Sequence, residues 1–222
     1  YGKRVHVLHV SSAIEMEFLA TAKDVATVET LPQFLTFAGP QIYERLHGFA
    51  QMNPPIRYPQ DLAALWSIGI LQGVVDVLGT DHAPHTREEK AQPYPKSPSG
   101  MPGVQTLVPV MLTHVNEGRL SLQRFVDLTS AGPNRVFGIE GKGRIALGYD
   151  ADFTLVDLKA KRIIRNEDQA TRAGWTPFDG FEAQGWPMAT IIRGQLVMKE
   201  GEIVTPSVGE PMRFLEALQP TK

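Results

Sequence analysis

The sequence predicts an α/β fold, a parallel-sheet section followed by a smaller β unit. Three observations carry this. Val74-Val75-Asp76-Val77-Leu78 is a nearly continuous apolar run bounded by glycine, the pattern of a strand buried on both faces. Two earlier β-rich runs, Lys3–Val10 and Val25–Thr30, each precede a stretch with helical character, so the order reads β-α, β-α, β-α-α. From residue 141 the apolar spacing changes from the helical period of about 3.6 to the strand period of about 2.

The elements follow in order. Lys3–Val10 alternates and reads as the first strand. Ser11-Ser12 sets up a helix N-cap, with Glu15 three residues after Ser12 as a capping box, and the helix runs from about Ala13 to Lys23 with Ile14, Phe18 and Leu19 on one face. Val25–Thr30 is the second strand, ended by Pro32. A mixed segment with a short helix near Gln41–Leu46 leads to Met52-Asn53-Pro54-Pro55-Ile56-Arg57, where two prolines fix an extended path. Asp61–Leu71 is helical, with Leu62, Leu65, Trp66 and Leu71 apolar, and residues 74–78 form the third strand. Thr86-Arg87-Glu88-Glu89 is a second capping box, opening a short turn that Pro93 stops. Residues 92–102 carry four prolines, Pro93, Pro95, Pro98 and Pro102, in a loop able to cover a site. Helices at about 103–116 and 121–130 follow, and Pro133–Gly138 ends this part. Gly143–Asp157 then reads as strand, turn, strand. Met188–Arg193 and Gln195–Lys199 form a hairpin around Gly194, and a short surface helix is expected from about 206.

Composition narrows the function. At 222 residues the chain can bury a real core, and its formal net charge of −2 lacks the basic excess of a nucleic-acid or membrane-surface protein. There is no cysteine, so any metal must sit on His, Asp or Glu. No apolar run approaches the roughly 20 residues of a membrane span. A cytoplasmic location is expected.

The chemistry concentrates in Gly79-Thr80-Asp81-His82-Ala83-Pro84-His85-Thr86, directly after the third strand. The carboxyl end of a parallel strand is where α/β proteins bind ligands. A carboxylate and two imidazoles there suit metal ligation, proton transfer and substrate contact.

Taken together, these residues resemble the amidohydrolase superfamily, most closely its dihydroorotase-like members. Leu8-His9-Val10-Ser11-Ser12 resembles the segment at the sixth barrel strand that ends in a metal-binding histidine. Met52-Asn53-Pro54-Pro55-Ile56-Arg57 resembles the family's Met-Asn-Pro-Pro-Leu-Arg substrate loop. Thr80-Asp81-His82-Ala83-Pro84-His85, continued by Glu88-Glu89-Lys90, resembles the eighth-strand signature. Gly143-Arg144-Ile145 through Asp152 resembles a strand of the small β domain, and Thr176-Pro177-Phe178 with Gly185–Gly201 the C-terminal end.

The resemblance implies part of a TIM-type (β/α)8 barrel, about strands six to eight with their helices, over residues 1–138. C-terminal strands of the small β-sandwich domain would occupy 139–205, and a tail 206–222. It implies that His9 ligates one metal of a binuclear zinc site. Asp81 would bind the other and act as the proton shuttle. Asn53 and His85 would hold the substrate, helped by backbone near Ser99 and Gly100. The implied reaction is reversible hydrolysis of a cyclic amide, dihydroorotate to N-carbamoyl-aspartate. Glu29-Thr30-Leu31-Pro32-Gln33-Phe34 departs from the Pro-His-His of many dihydroorotases and resembles the hydantoinase version, so hydantoins and allantoin stand as alternative substrates. A non-catalytic scaffold relative is the other class.

The family's remaining ligands lie on earlier strands, and no His-x-His occurs here. His6 and His9, three apart on one strand, are expected on opposite faces. With a first residue of Tyr1, the expectation is the C-terminal part of a longer enzyme. The missing barrel half would come from the same parent or a second chain, in a homo-oligomer.

Overall fold

The computed structural model describes residues 2–206 and 208–215. It contains two sheets. In the first, β1 (Val5–Val7), β2 (Ala26–Thr30) and β3 (Val77–Leu78) lie side by side in that order, all parallel. In the second, β4 (Phe153–Ile163), β5 (Glu182–Ile192), β6 (Gln195–Lys199) and β7 (Glu202–Ile203) form an antiparallel meander.

Parallel strands need crossovers, and helices supply them. β1 leads through α1 (Ala13–Ala20) to β2. Its N-cap is Ser12, whose hydroxyl accepts from the Glu15 N–H and donates to the Glu15 carboxylate at 2.6 Å. Only part of the expected apolar face is buried. Met16 and Leu19 pack inward, whereas Ile14 and Phe18 lie one turn apart and exposed. β2 leads to β3 through α2 (Pro32–Thr36), α3 (Gln41–Leu46) with a 3-10 turn at His47–Ala50, and α4 (Pro59–Ala64), which continues as a π-helix over Leu65–Leu71. Asp61 ties two of these helices. One carboxylate oxygen accepts from the Tyr58 N–H at the start of α4, the other from the Ala13 N–H at the start of α1.

The third strand is shorter than its apolar run. Asp76 is the reason: its carboxylate accepts the Val28 N–H at 2.8 Å and pairs with Lys23, so a side chain replaces part of the backbone ladder. Beyond β3 come α5 (Arg87–Lys90), α6 (Leu107–Asn116), α7 (Leu122–Val126) with a π turn at Asp127–Ala131, and α8 (Gly132–Phe137). Pro133 stands in the first turn of α8 and Gly138 closes it in the left-handed conformation, so the segment expected only to end this part is itself a helix.

The antiparallel sheet docks on α6. The Thr113 hydroxyl accepts from the Gln184 N–H, and the Asn116 amide donates to Leu158 and Gln184 carbonyls. Gly185 makes the approach possible: a Cβ there would sit 2.6 Å from Leu112 Cβ. Val10, Met16, Val28, Leu35, Leu65, Val75, Met111 and Trp175 belong to one buried core; Val110, Ile164, Phe178 and Ala183 form a smaller one beside it.

Two expectations fail. Gly143–Leu147 is irregular rather than a strand. Ile145 and Leu147 are 88% and 103% exposed, and among the described residues no strand pairs with them. The tail over 208–213 is irregular rather than helical, and Phe214 forms a single antiparallel bridge with Ile139; the rest of the expected tail helix lies outside the described residues.

Candidate active site

The three parallel strands end at one rim. Their bonds continue past the regular ladder: Val10 N–H to Glu29 C=O at 2.8 Å, Gly79 N–H to Thr30 C=O at 3.1 Å. His9 therefore follows β1 and Asp81 follows β3, on either side of the end of β2.

Both residues leave their strands in the left-handed region, His9 at φ 39° and Asp81 at φ 43°. For non-glycine residues this costs about 1–2 kcal/mol each, and such strain concentrates at functional sites. The strand expected to extend to Val10 stops at Val7, so the simple alternation expected to separate His6 from His9 no longer applies.

Between them lies Glu29. His9 donates its backbone N–H to Glu29 Oε1 at 3.4 Å, and His6 Nε2 lies 3.9 Å from Oε2. Gly79 makes room: a Cβ there would fall 2.4 Å from Glu29 Cδ. Burial pushes the Glu29 carboxyl above its ordinary value and the nearby Asp81 charge adds to the rise, while the His9 N–H and the charges of His6 and His9 oppose it. One partly buried acid thus feels both candidate ligands. Sequence reasoning missed Glu29 as a site residue, although its acidic place between Val28 and Thr30 in an otherwise apolar and hydroxylic strand was a signal.

Asp81 is followed by a tightly bonded loop. His82 Nδ1 accepts from the Gly103 and Val104 N–H groups at 3.1 and 3.3 Å, so that nitrogen carries no proton. His82 also bridges Met101 in parallel fashion. The Gln33 side chain, fully buried, donates to the Thr80 carbonyl at 2.9 Å.

The candidate substrate residues gather on the neighbouring loops. Asn53 and Ser99 line one cleft of about 1030 Å³, together with Tyr43, Met52, Lys90 and Tyr94. That is room for a small ring and its substituents. His85 Nε2 lies 3.1 Å from the Ser99 carbonyl oxygen. Gly100, at φ 134°, donates its N–H to the Gln51 carbonyl at 3.0 Å, and a Cβ on it would strike the Ala83 oxygen at 2.5 Å. The structure thus brings together Asn53, His85, Ser99 and Gly100 in one set of loops, and His9 and Asp81 at the strand rim. The expected cap holds as well: the Thr86 hydroxyl accepts from Glu89 N–H, and the Glu89 carboxylate accepts from Thr86 N–H at 2.8 Å.

An imidazole and a carboxylate are suitable metal donors. Among the described residues no three His, Asp or Glu side chains come together as a metal site. No helix among them is long and apolar enough to cross a membrane.

Comparison with known proteins places the chain in a family. The amidohydrolase family model matches residues 58–197. The chain is 40% identical to a dihydroorotase of Halobacterium salinarum over 212 residues, which is 96% of this chain and 49% of the relative. It is 38% identical to a dihydroorotase of Pyrococcus furiosus over 95% of this chain and 49% of the relative. Among solved structures it resembles an L-hydantoinase (dihydropyrimidinase) from Arthrobacter aurescens, with TM-score 0.86, 32% identity and coverage of 91% of this chain and 46% of that one. A D-hydantoinase from Thermus sp. gives TM-score 0.85 and 29% identity over 92% and 47%. The chain spans about half the length of the curated relatives it matches. The matched residues run from just before α4 into β6 and take in Asp81 but not His9 or Glu29, and this chain belongs to the amidohydrolase family.

Proposed function

We propose that this chain is the C-terminal part of a metal-dependent cyclic amidohydrolase that interconverts dihydroorotate and N-carbamoyl-aspartate. The observation that carries the reading is the rim itself: His9 and Asp81, both in strained left-handed backbone at parallel-strand ends, flank the partly buried acid Glu29. The dihydroorotase relatives support the substrate class.

In this reading β1, β2 and β3 correspond to barrel strands six to eight, within residues 1–138. Residues 139–205 contribute to the small β-sandwich domain, and 206–222 are a tail. The other barrel strands come from the rest of the protein or from a second chain. The exposed Ile14 and Phe18 on α1, 76% and 67% accessible, are apolar surface that such neighbours would cover.

The donors fit zinc or a similar divalent ion in kind and fall short of it in number. A catalytic zinc takes about three protein ligands, and His9 and Asp81 supply two. They would hold the ion with ligands from outside this chain, in a binuclear centre. When bound, the ion acidifies water and polarises the ring carbonyl. Asp81 takes the proton from the attacking water and returns it to the leaving ring nitrogen. Asn53 and His85, with backbone of Ser99 and Gly100, orient the ring.

A hydantoinase-type substrate is the second reading. It is favoured by Pro32-Gln33-Phe34, where Gln33 is buried and bonded to Thr80, and by the hydantoinase structures. The deciding experiment offers dihydroorotate, hydantoin, dihydrouracil and allantoin to the full-length protein, with its metal content measured alongside. Turnover of dihydroorotate above the others is expected. Turnover of hydantoin alone selects the second reading. A metal-free protein that turns over nothing is a scaffold and removes both.

A further inference from the structure

We infer that Lys90 is a positioning residue for the substrate pocket, a brace that locks the Asn53 loop to the Ser99-Gly100 loop. The inference rests on the functional reading above for what those loops hold.

Lys90 is the last residue of α5 and its side chain is completely buried. Its ammonium is held by neutral groups. Nζ donates to the Gln51 carbonyl at 2.8 Å and to the Pro98 carbonyl at 2.7 Å, and it lies 5.9 Å from the centre of the Trp175 ring. Burial pulls its pKa down to about 8. A buried cation with no carboxylate against it among the described residues is costly, and an apolar chain of the same length would fill the space without that cost. What only a donor provides is the pair of carbonyl bonds.

Those bonds fall where the pocket is built. Gln51 is two residues before Asn53. Pro98 immediately precedes Ser99 and Gly100. The same Gln51 oxygen also accepts the Gly100 N–H, so one carbonyl joins both loops twice. Trp175, which faces Lys90, donates its indole N–H to the His85 carbonyl at 2.8 Å, and His85 meets the Ser99 carbonyl through Nε2. All four candidate substrate residues are thus within two positions of a group bonded to Lys90 or Trp175, or are bonded to it themselves. Around the brace the packing leaves little slack: a Cβ at Gly48 would lie 2.7 Å from the Lys90 and Gln92 oxygens. The Ser97 hydroxyl donates to the Gly48 carbonyl at 2.8 Å.

The test uses the full-length protein carrying Lys90→Met, which deletes the donors, and Lys90→Gln, which keeps a shorter one. Two readouts are taken: steady-state kinetics on whichever cyclic amide the wild type hydrolyses, and amide hydrogen exchange. Lys90→Met is expected to raise KM about tenfold or more with kcat within about threefold, and Lys90→Gln to recover part of the loss. Exchange is expected to quicken at 51–53 and 98–100 and to stay unchanged in β2. Unchanged KM, or exchange unchanged in both loops, overturns the assignment. So does failure of both variants to fold, which would make Lys90 a folding residue. A wild type that turns over no cyclic amide defeats the functional reading, and exchange still decides whether Lys90 joins the loops.

Discussion

The indole nitrogen of Trp175 lies 2.8 Å from the carbonyl oxygen of His85, a bond between the long irregular segment before β5 and the signature loop after β3. Trp175 is 2% exposed, so the ring also anchors the core against Phe49. Trp175→Phe retains much of the packing and deletes the bond. The expected cost is about 1 kcal/mol in denaturant unfolding. An unchanged midpoint would show that the bond adds nothing to stability.

Asp81→Asn should keep the fold and lower turnover by about 10²–10⁴-fold, the range that general acid–base groups supply. Its backbone conformation is one that asparagine tolerates well. Circular dichroism and steady-state rates on the full-length protein decide it. Retention of full activity would remove Asp81 from the reaction.

His85→Ala should raise KM more than it lowers kcat. The ring meets the carbonyl of Ser99, a residue that lines the cleft, at 3.1 Å. An equal fall in kcat and kcat/KM would instead put His85 in the chemical step.

His114 gives a pH dependence apart from catalysis. It is 3% exposed, bonded to Thr36 at 3.0 Å through Nε2 and to Glu117 at 3.2 Å through Nδ1, with the Trp66 ring edge-on. Burial lowers its pKa below the usual 6.5; the Arg119 charge adds to this and Glu117 opposes it. A lowered folded value means that the unfolded chain binds more protons in that window, so stability rises with pH up to 6.5 and is lost as pH falls. Wild type should therefore lose stability relative to His114→Gln as pH falls through and below 6.5. Parallel stability curves for the two would contradict this.

Local chemistry made much of the fold legible. The Ser12 and Thr86 caps, the Gln41–Leu46 helix and the apolar 74–78 run are signals that neighbours in sequence set, and each appears in the structure, the last shortened by Asp76. What depended on distant partners was harder to read. Gly143–Leu147 has a strand's composition and no paired strand among the described residues. β4 continues to Ile163 past bulges because β5 pairs with it there, through a stretch whose Lys159, Lys161 and Arg162 hid the pattern. At the site, Asp81 and His9 stood out by position after apolar runs. Glu29 and Lys90 did not, because a charged residue's burial is decided by what folds over it. Gly79 admits the first, and the 48–51 and 97–98 backbone encloses the second.

The positive φ angles of His9 and Asp81 carry a consequence for engineering. Glycine would relax both peptides, by about 1 kcal/mol apiece. A library screened only for survival on heating would drift toward glycine at these two places and, in the functional reading proposed above, return hardy, inert proteins. Thermostability campaigns on this chain should hold both codons fixed and search elsewhere.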